Sequence, residues 1–127
     1  MNRGKFSASL AVAALLVTTG TAVAQPQNKL VSRLDKALIQ AIWCSALLFE
    51  ESFVYEAETD DAIRYENLSF DLGADIDAML LEDGMRQAEV DEIWSVFDGE
   101  AMDLALMDSA SFAAQLAVCE TNYDSLL

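Results

Sequence analysis

The sequence predicts an all-α fold, a small antiparallel four-helix bundle stapled by one disulfide between its first and last helices. Three observations carry that expectation. Apolar residues recur at steps of three and four through four successive segments, which is the helical period. No proline follows Pro26, so no later helix is broken in that way. The two cysteines, Cys44 and Cys119, fall on the first and last of the periodic segments.

The chain opens with an export signature. Arg3 and Lys5 give a basic start, Phe6 to about Val17 is apolar, and Ala22-Val23-Ala24 puts small residues where a signal peptidase reads them. Residues 1–24 are expected to be a removed Sec-type signal peptide, with Gln25 the first residue of a single helical domain over 25–127. The signal is too short and too rich in Ala, Ser and Thr to be preferred as a span, which needs about 20 apolar residues. A periplasmic or secreted location follows, without stable membrane insertion after cleavage.

The first helix is expected from about Lys29 to Tyr55, on Leu30, Leu34, Leu38, Ala41 and the run to Leu48. Between Ala37 and Phe49 only Gln40 and Ser45 are polar, so apolar groups cover most of the circumference. Such a helix is either the buried centre of a bundle or is completed by a partner. Thr59 followed by Asp60-Asp61 marks the second start, an oxygen cap with acids in the first turn. That helix runs to Asp83, with Tyr65, Leu68, Leu72, Ile76, Met79 and Leu80 facing inward and Gly84 as a left-handed stop. Gly73 is out of place within it, since an interior glycine costs about 1 kcal/mol against Ala. The third helix starts near Gln87 on Val90, Ile93, Trp94 and Phe97, and either breaks at Asp98-Gly99 or continues to Met107. The fourth follows the Asp108-Ser109 cap signal and uses Phe112, Leu116 and Cys119, with Tyr123 one turn on.

Short connections favour an up-down-up-down order, which makes the first and last helices antiparallel neighbours. In an exported chain, two cysteines read as one structural bridge. With 74 residues between Cys44 and Cys119, closing the loop is worth about 4.5 kcal/mol in the chain-entropy model.

Charge excludes several classes. After cleavage five Lys and Arg face 22 Asp and Glu. Phosphate backbones and anionic lipids repel such a chain, so nucleic acid is not an expected partner. Basic proteins, cations or a second copy of the chain are, unless the acidity only serves solubility. Mutual repulsion should raise carboxylate pKa values in the folded state, so mild acid or salt should stabilise the fold.

The chain has no His. Ser-His-Asp and Cys-His nucleophiles and His-ligated metals are thereby unavailable. Asp71, Asp75, Asp77 and Glu82 match four ligand positions of a calcium loop, but Gly73 stands where an oxygen ligand belongs and Ile76 where the turn needs Gly. The segment reads instead as helix. No catalytic, cofactor-binding or metal residue is assigned, and no cofactor is expected.

Partner contacts are sought in two places. Aromatics at helical spacing, Trp43, Phe49, Phe53 and Tyr55 on the first helix and Trp94 and Phe97 on the third, are core by default. The alternative is that Trp43 and Phe53, on the broad apolar surface of the first helix, form a groove or dimer seam rimmed by acid. Glu82 and Asp83 sit at the electrostatically unfavourable end of the second helix, a placement that helix stability does not explain. The expected role is a non-enzymatic binding, adaptor or inhibitor-like protein. Alternatives are a small periplasmic stress chaperone and a carboxylate-based cation-binding protein or enzyme. An acid-triggered chaperone fits poorly, because full protonation leaves only five basic side chains and the amino terminus to drive unfolding.

Overall fold

The computed structural model describes residues 28–127, so the signal segment and its cleavage point lie outside the described residues. Four helices follow one another: α1 (Lys36–Ser52), α2 (Asp60–Glu82), α3 (Gln87–Met107) and α4 (Ser109–Thr121). Single 3-10 turns flank them at Val31–Arg33 and Tyr123–Ser125.

Local chemistry sets most boundaries. Asp35 accepts from the Leu38 amide at 2.8 Å and starts α1, six or seven residues later than the spacing of Leu30 and Leu34 implies. Those two leucines belong to a separate turn, tied by the Asn28 side chain, which accepts from the Leu30 amide at 2.7 Å. At the other end α1 stops at Ser52, short of the expected Tyr55. Thr59 caps α2 through the Ala62 amide at 3.3 Å, and Asp108 caps α4 through the Ser111 amide at 3.0 Å. Gly84 has φ +95° and closes α2 in a Schellman motif, with the Met85 amide donating to Leu80 O and the Gly84 amide to Leu81 O. Helix α3 is continuous through Asp98-Gly99, because Phe97 and Ala101 on either side are buried in the core.

Helix α1 is the axle of the bundle. Every residue from Ala41 to Leu48 is at most 2% exposed, so of the two readings of its apolar circumference the buried centre holds for this stretch. Helix α2 covers it with Leu72, Ile76 and Leu80, α3 with Val90, Ile93 and Phe97, and α4 with Phe112, Leu116 and Cys119. Each fully buried Leu or Ile here contributes about 1.5–3 kcal/mol relative to exposure. Met79, expected inward, is 40% exposed, since the stripe steps from Ile76 to Leu80 and leaves Met79 beside it.

Cross-contacts fix the directions as up-down-up-down. Ser45 meets Ser69 and Tyr55 stacks on Tyr65 at 5.8 Å, so α2 runs against α1. Arg33 pairs with Glu89 at one end and Trp43 packs on Phe97 further along, so α3 runs with it. Helix α4 returns beside α1, where the Cys44–Cys119 disulfide spans Cα atoms 5.4 Å apart, inside the range the bond requires. The first and last helices are stapled as the sequence implied. A polar pair in the core is fully satisfied: Ser45 Oγ donates to Ser69 O at 3.0 Å and Ser69 Oγ donates to Ser45 O at 2.8 Å.

Candidate functional site

Helices α2 and α3 both lie on α1 but touch each other sparingly, and the gap between them is an open groove of about 320 Å³. Its shape follows from residue size. On α2 the lining positions are Ser69, Phe70, Gly73, Ala74 and Asp77, one helical face whose middle carries almost no side chain. Ser45 and Phe49 of α1 contribute to the lining, as do Trp94 and Asp98 of α3. Trp94 Nε1 donates to Asp77 Oδ1 at 2.6 Å and ties the two outer helices together.

The electrostatics of the groove are lopsided. Burial pushes the Asp98 carboxyl above the usual range, and among the described residues it has no ion pair or side-chain hydrogen bond. Glu50 is raised by burial and then by repulsion from Asp98. A partly desolvated carboxylate in an aromatic groove is electrostatically unanswered. A second depression, of about 460 Å³, lies beside Phe53, Tyr65 and Phe112 with Glu50 in its lining, and another of its carboxylates is answered. There Glu120 accepts from Tyr65 Oη at 2.8 Å and pairs with Arg64 at 3.6 Å, while Arg64 also covers the Tyr65 ring. Burial and the Glu120 bond hold the Tyr65 phenol up at about 12.

The residues singled out in the sequence are scattered. Trp43 is 1% exposed and donates from Nε1 to Gln115 at 2.8 Å, so it is core and presents no surface to a partner. That corrects its assignment to a groove or seam: the three covering helices bury the face it stands on. Phe53 is 66% exposed just beyond α1 and packs edge-on against Phe49 at 4.9 Å. Phe49 in turn lies 5.9 Å from Phe70, which is 55% exposed. Phe53 thus joins an aromatic ridge leading to the groove without lining it. Glu82 and Asp83 are exposed at the C-terminal end of α2, outside the groove.

Sequence reasoning missed Asp77, Trp94 and Asp98 as one constellation, and read Trp94 as core. Gly73 was the visible trace, a helix-weakening residue that proves to lie on the groove wall. Asp71, Asp75, Asp77 and Glu82 lie on unbroken helix, and no group of three or more metal-ligating side chains converges among the described residues. The two serines at the base of the groove are bonded to each other's carbonyls, so neither hydroxyl is held by a base. The arrangement is suited to holding a cationic, partly apolar group.

No protein-family model matches the chain, and neither the curated proteins nor the solved structures contain a significant match to it.

Proposed function

We propose that the mature chain is an exported, non-enzymatic binding protein of the inhibitor or adaptor type, working in the periplasm or outside the cell on a basic protein. The observation that carries this reading is the groove between α2 and α3, with aromatic walls and the unanswered Asp98 carboxylate. The rest of the surface agrees in sign. Of 22 acidic residues, only Glu89 and Glu120 take part in ion pairs among the described residues. Such a field steers a cationic partner toward the protein and speeds encounter. Export through residues 1–24 is part of the proposal, and the buried disulfide is compatible with an oxidising compartment.

A chaperone is the second reading, favoured by apolar side chains on the far end of α3. Leu106 and Met107 are almost fully exposed and Met102 is half exposed. The two readings separate in one experiment. The oxidised domain from Gln25 to Leu127 is used as bait in envelope extract at low and high salt, beside a variant with the groove filled by Ala74→Leu. Recovery of one basic protein, released by salt and lost with the filled groove, is the expected result. Recovery of many unrelated proteins that salt does not release supports the chaperone instead, and an empty result overturns the basic-partner reading.

A further inference from the structure

We infer that the α2–α3 groove is a receptor for a single arginine side chain of the basic partner, with the guanidinium against the Trp94 indole and paired with Asp98. The inference rests on the binding reading above and names the chemistry of its contact. Size is the first argument. At about 320 Å³ the groove lies at the low end of ligand pockets, room for one long side chain and too little for a folded segment.

Charge and wall chemistry select the occupant. An apolar side chain would cover Asp98 and leave a carboxylate desolvated without a partner, which is costly. An anion would meet Asp98 and Asp77 in the lining, with Glu50 near enough to feel the charge of Asp98. A metal ion finds too few ligands, since Asp77 Oδ1 is already engaged by Trp94 and no ligand cluster forms among the described residues. A cation with an apolar stem fits every wall, the stem along Phe49 and Phe70 and the head at Asp98. Between the two basic side chains, the guanidinium is planar, more weakly hydrated and stacks on aromatic rings, whereas an ammonium gives up more hydration on entering.

Gly73 supplies an independent sign that this space is meant to stay open. A Cβ there would meet Ser45 Oγ at 3.5 Å and the Trp94 ring at 3.7 and 3.8 Å, ordinary contacts that an alanine satisfies. Close packing therefore does not demand the glycine, and its effect is to leave room beside the indole.

The test uses the oxidised mature chain and two tryptophan-free peptides of equal length and charge, one alternating Gly with Arg and the other Gly with Lys. Binding is followed at low salt by the change in tryptophan fluorescence, to which Trp94 at the groove contributes beside the buried Trp43. The expected result is a preference of at least about fivefold for the arginine peptide, and a loss of at least about tenfold in Asp98→Asn. Asp124→Asn makes the same charge change at an exposed position outside the groove and should cost less than about twofold, because exposed charges act weakly. Equal affinity for the two peptides, or equal losses in the two variants, overturns the arginine receptor while leaving a basic partner bound by general charge. Failure of both peptides to bind overturns the receptor and the basic-partner reading together. Thermal melts of Asp98→Asn guard against a trivial cause, since that variant should be at least as stable as the parent.

Discussion

Trp94 donates its indole N–H to Asp77 Oδ1 at 2.6 Å, joining α3 to α2 where those helices otherwise make little contact. The bond sets the position of the indole at the groove and occupies one oxygen of the Asp77 carboxylate.

Removing the acceptor should therefore be felt in stability and in the environment of the indole. Asp77→Ala is expected to lower the unfolding free energy by about 1–2 kcal/mol, because a half-buried N–H loses a charge-assisted partner. Asp77→Asn keeps an acceptor and should cost less. Urea unfolding followed by near-ultraviolet circular dichroism checks both. Equal stability of all three proteins would show that the bond is replaced by water at no cost.

The division between what was legible and what was not follows the range of the interactions. Thr59, Gly84 and Asp108 act on amides within a few residues, so their caps and the stop could be read directly. Asp35 acts equally locally, but Leu30 and Leu34 happened to extend the helical spacing past it. Continuity through Asp98-Gly99 depends on Phe97 and Ala101 being held in the core by α1, which no local signal contains. The over-apolar α1 left two outcomes open, and three covering helices decided between them. The groove was the least legible feature, because Ser45, Gly73, Trp94 and Asp98 come from three helices and meet only through packing. Only Gly73, expensive where it stands, hinted at it.

That expense can be measured. Gly73→Ala should raise stability by about 0.5–1 kcal/mol, since helix propensity improves and the added methyl meets only ordinary contacts. Denaturant midpoints at constant slope test it. A loss of stability would mean that α1 and α2 approach too closely here for any Cβ.

Acid should stabilise the fold over a defined window. The carboxyls of Asp98 and Glu50 are raised in the folded protein from ordinary values of 3.8 and 4.5, with burial the first cause in each. The folded state thus binds these protons more tightly than the unfolded chain. Their penalty is fully present above the raised folded values and is relieved as pH falls through them toward the ordinary ones. Glu89 acts in the opposite sense, lowered first by the Arg86 amide, and contributes stability that is lost as pH falls toward its own folded value. Its exposed ion pairs make that contribution small. The melting temperature should accordingly rise as pH falls from neutrality toward the ordinary carboxylate values, and Asp98→Asn should flatten the rise while melting higher at pH 7. A melting temperature that falls over this interval in the parent would refute the account.

The disulfide has the largest single effect expected. Cys44 and Cys119 are 75 residues apart in sequence, and both are essentially buried. Losing a bridge of this span costs about 4.5 kcal/mol in the chain-entropy model, a large part of the roughly 5–15 kcal/mol that holds a typical domain. The loss should not spread evenly. Helix α4 buries few residues, Phe112, Leu116 and Cys119, and is otherwise held to α1 by the Trp43–Gln115 bond. A Cys44→Ala/Cys119→Ala double variant should therefore free α4 before the α1–α2–α3 core opens, seen as early amide exchange over residues 109–121 and a changed Trp43 signal. Reductant should act slowly on the native protein, since both sulfurs must first be exposed, and quickly in denaturant. Uniform loss of protection across all four helices would instead make the bundle a single cooperative unit, with the bridge acting on the unfolded chain alone.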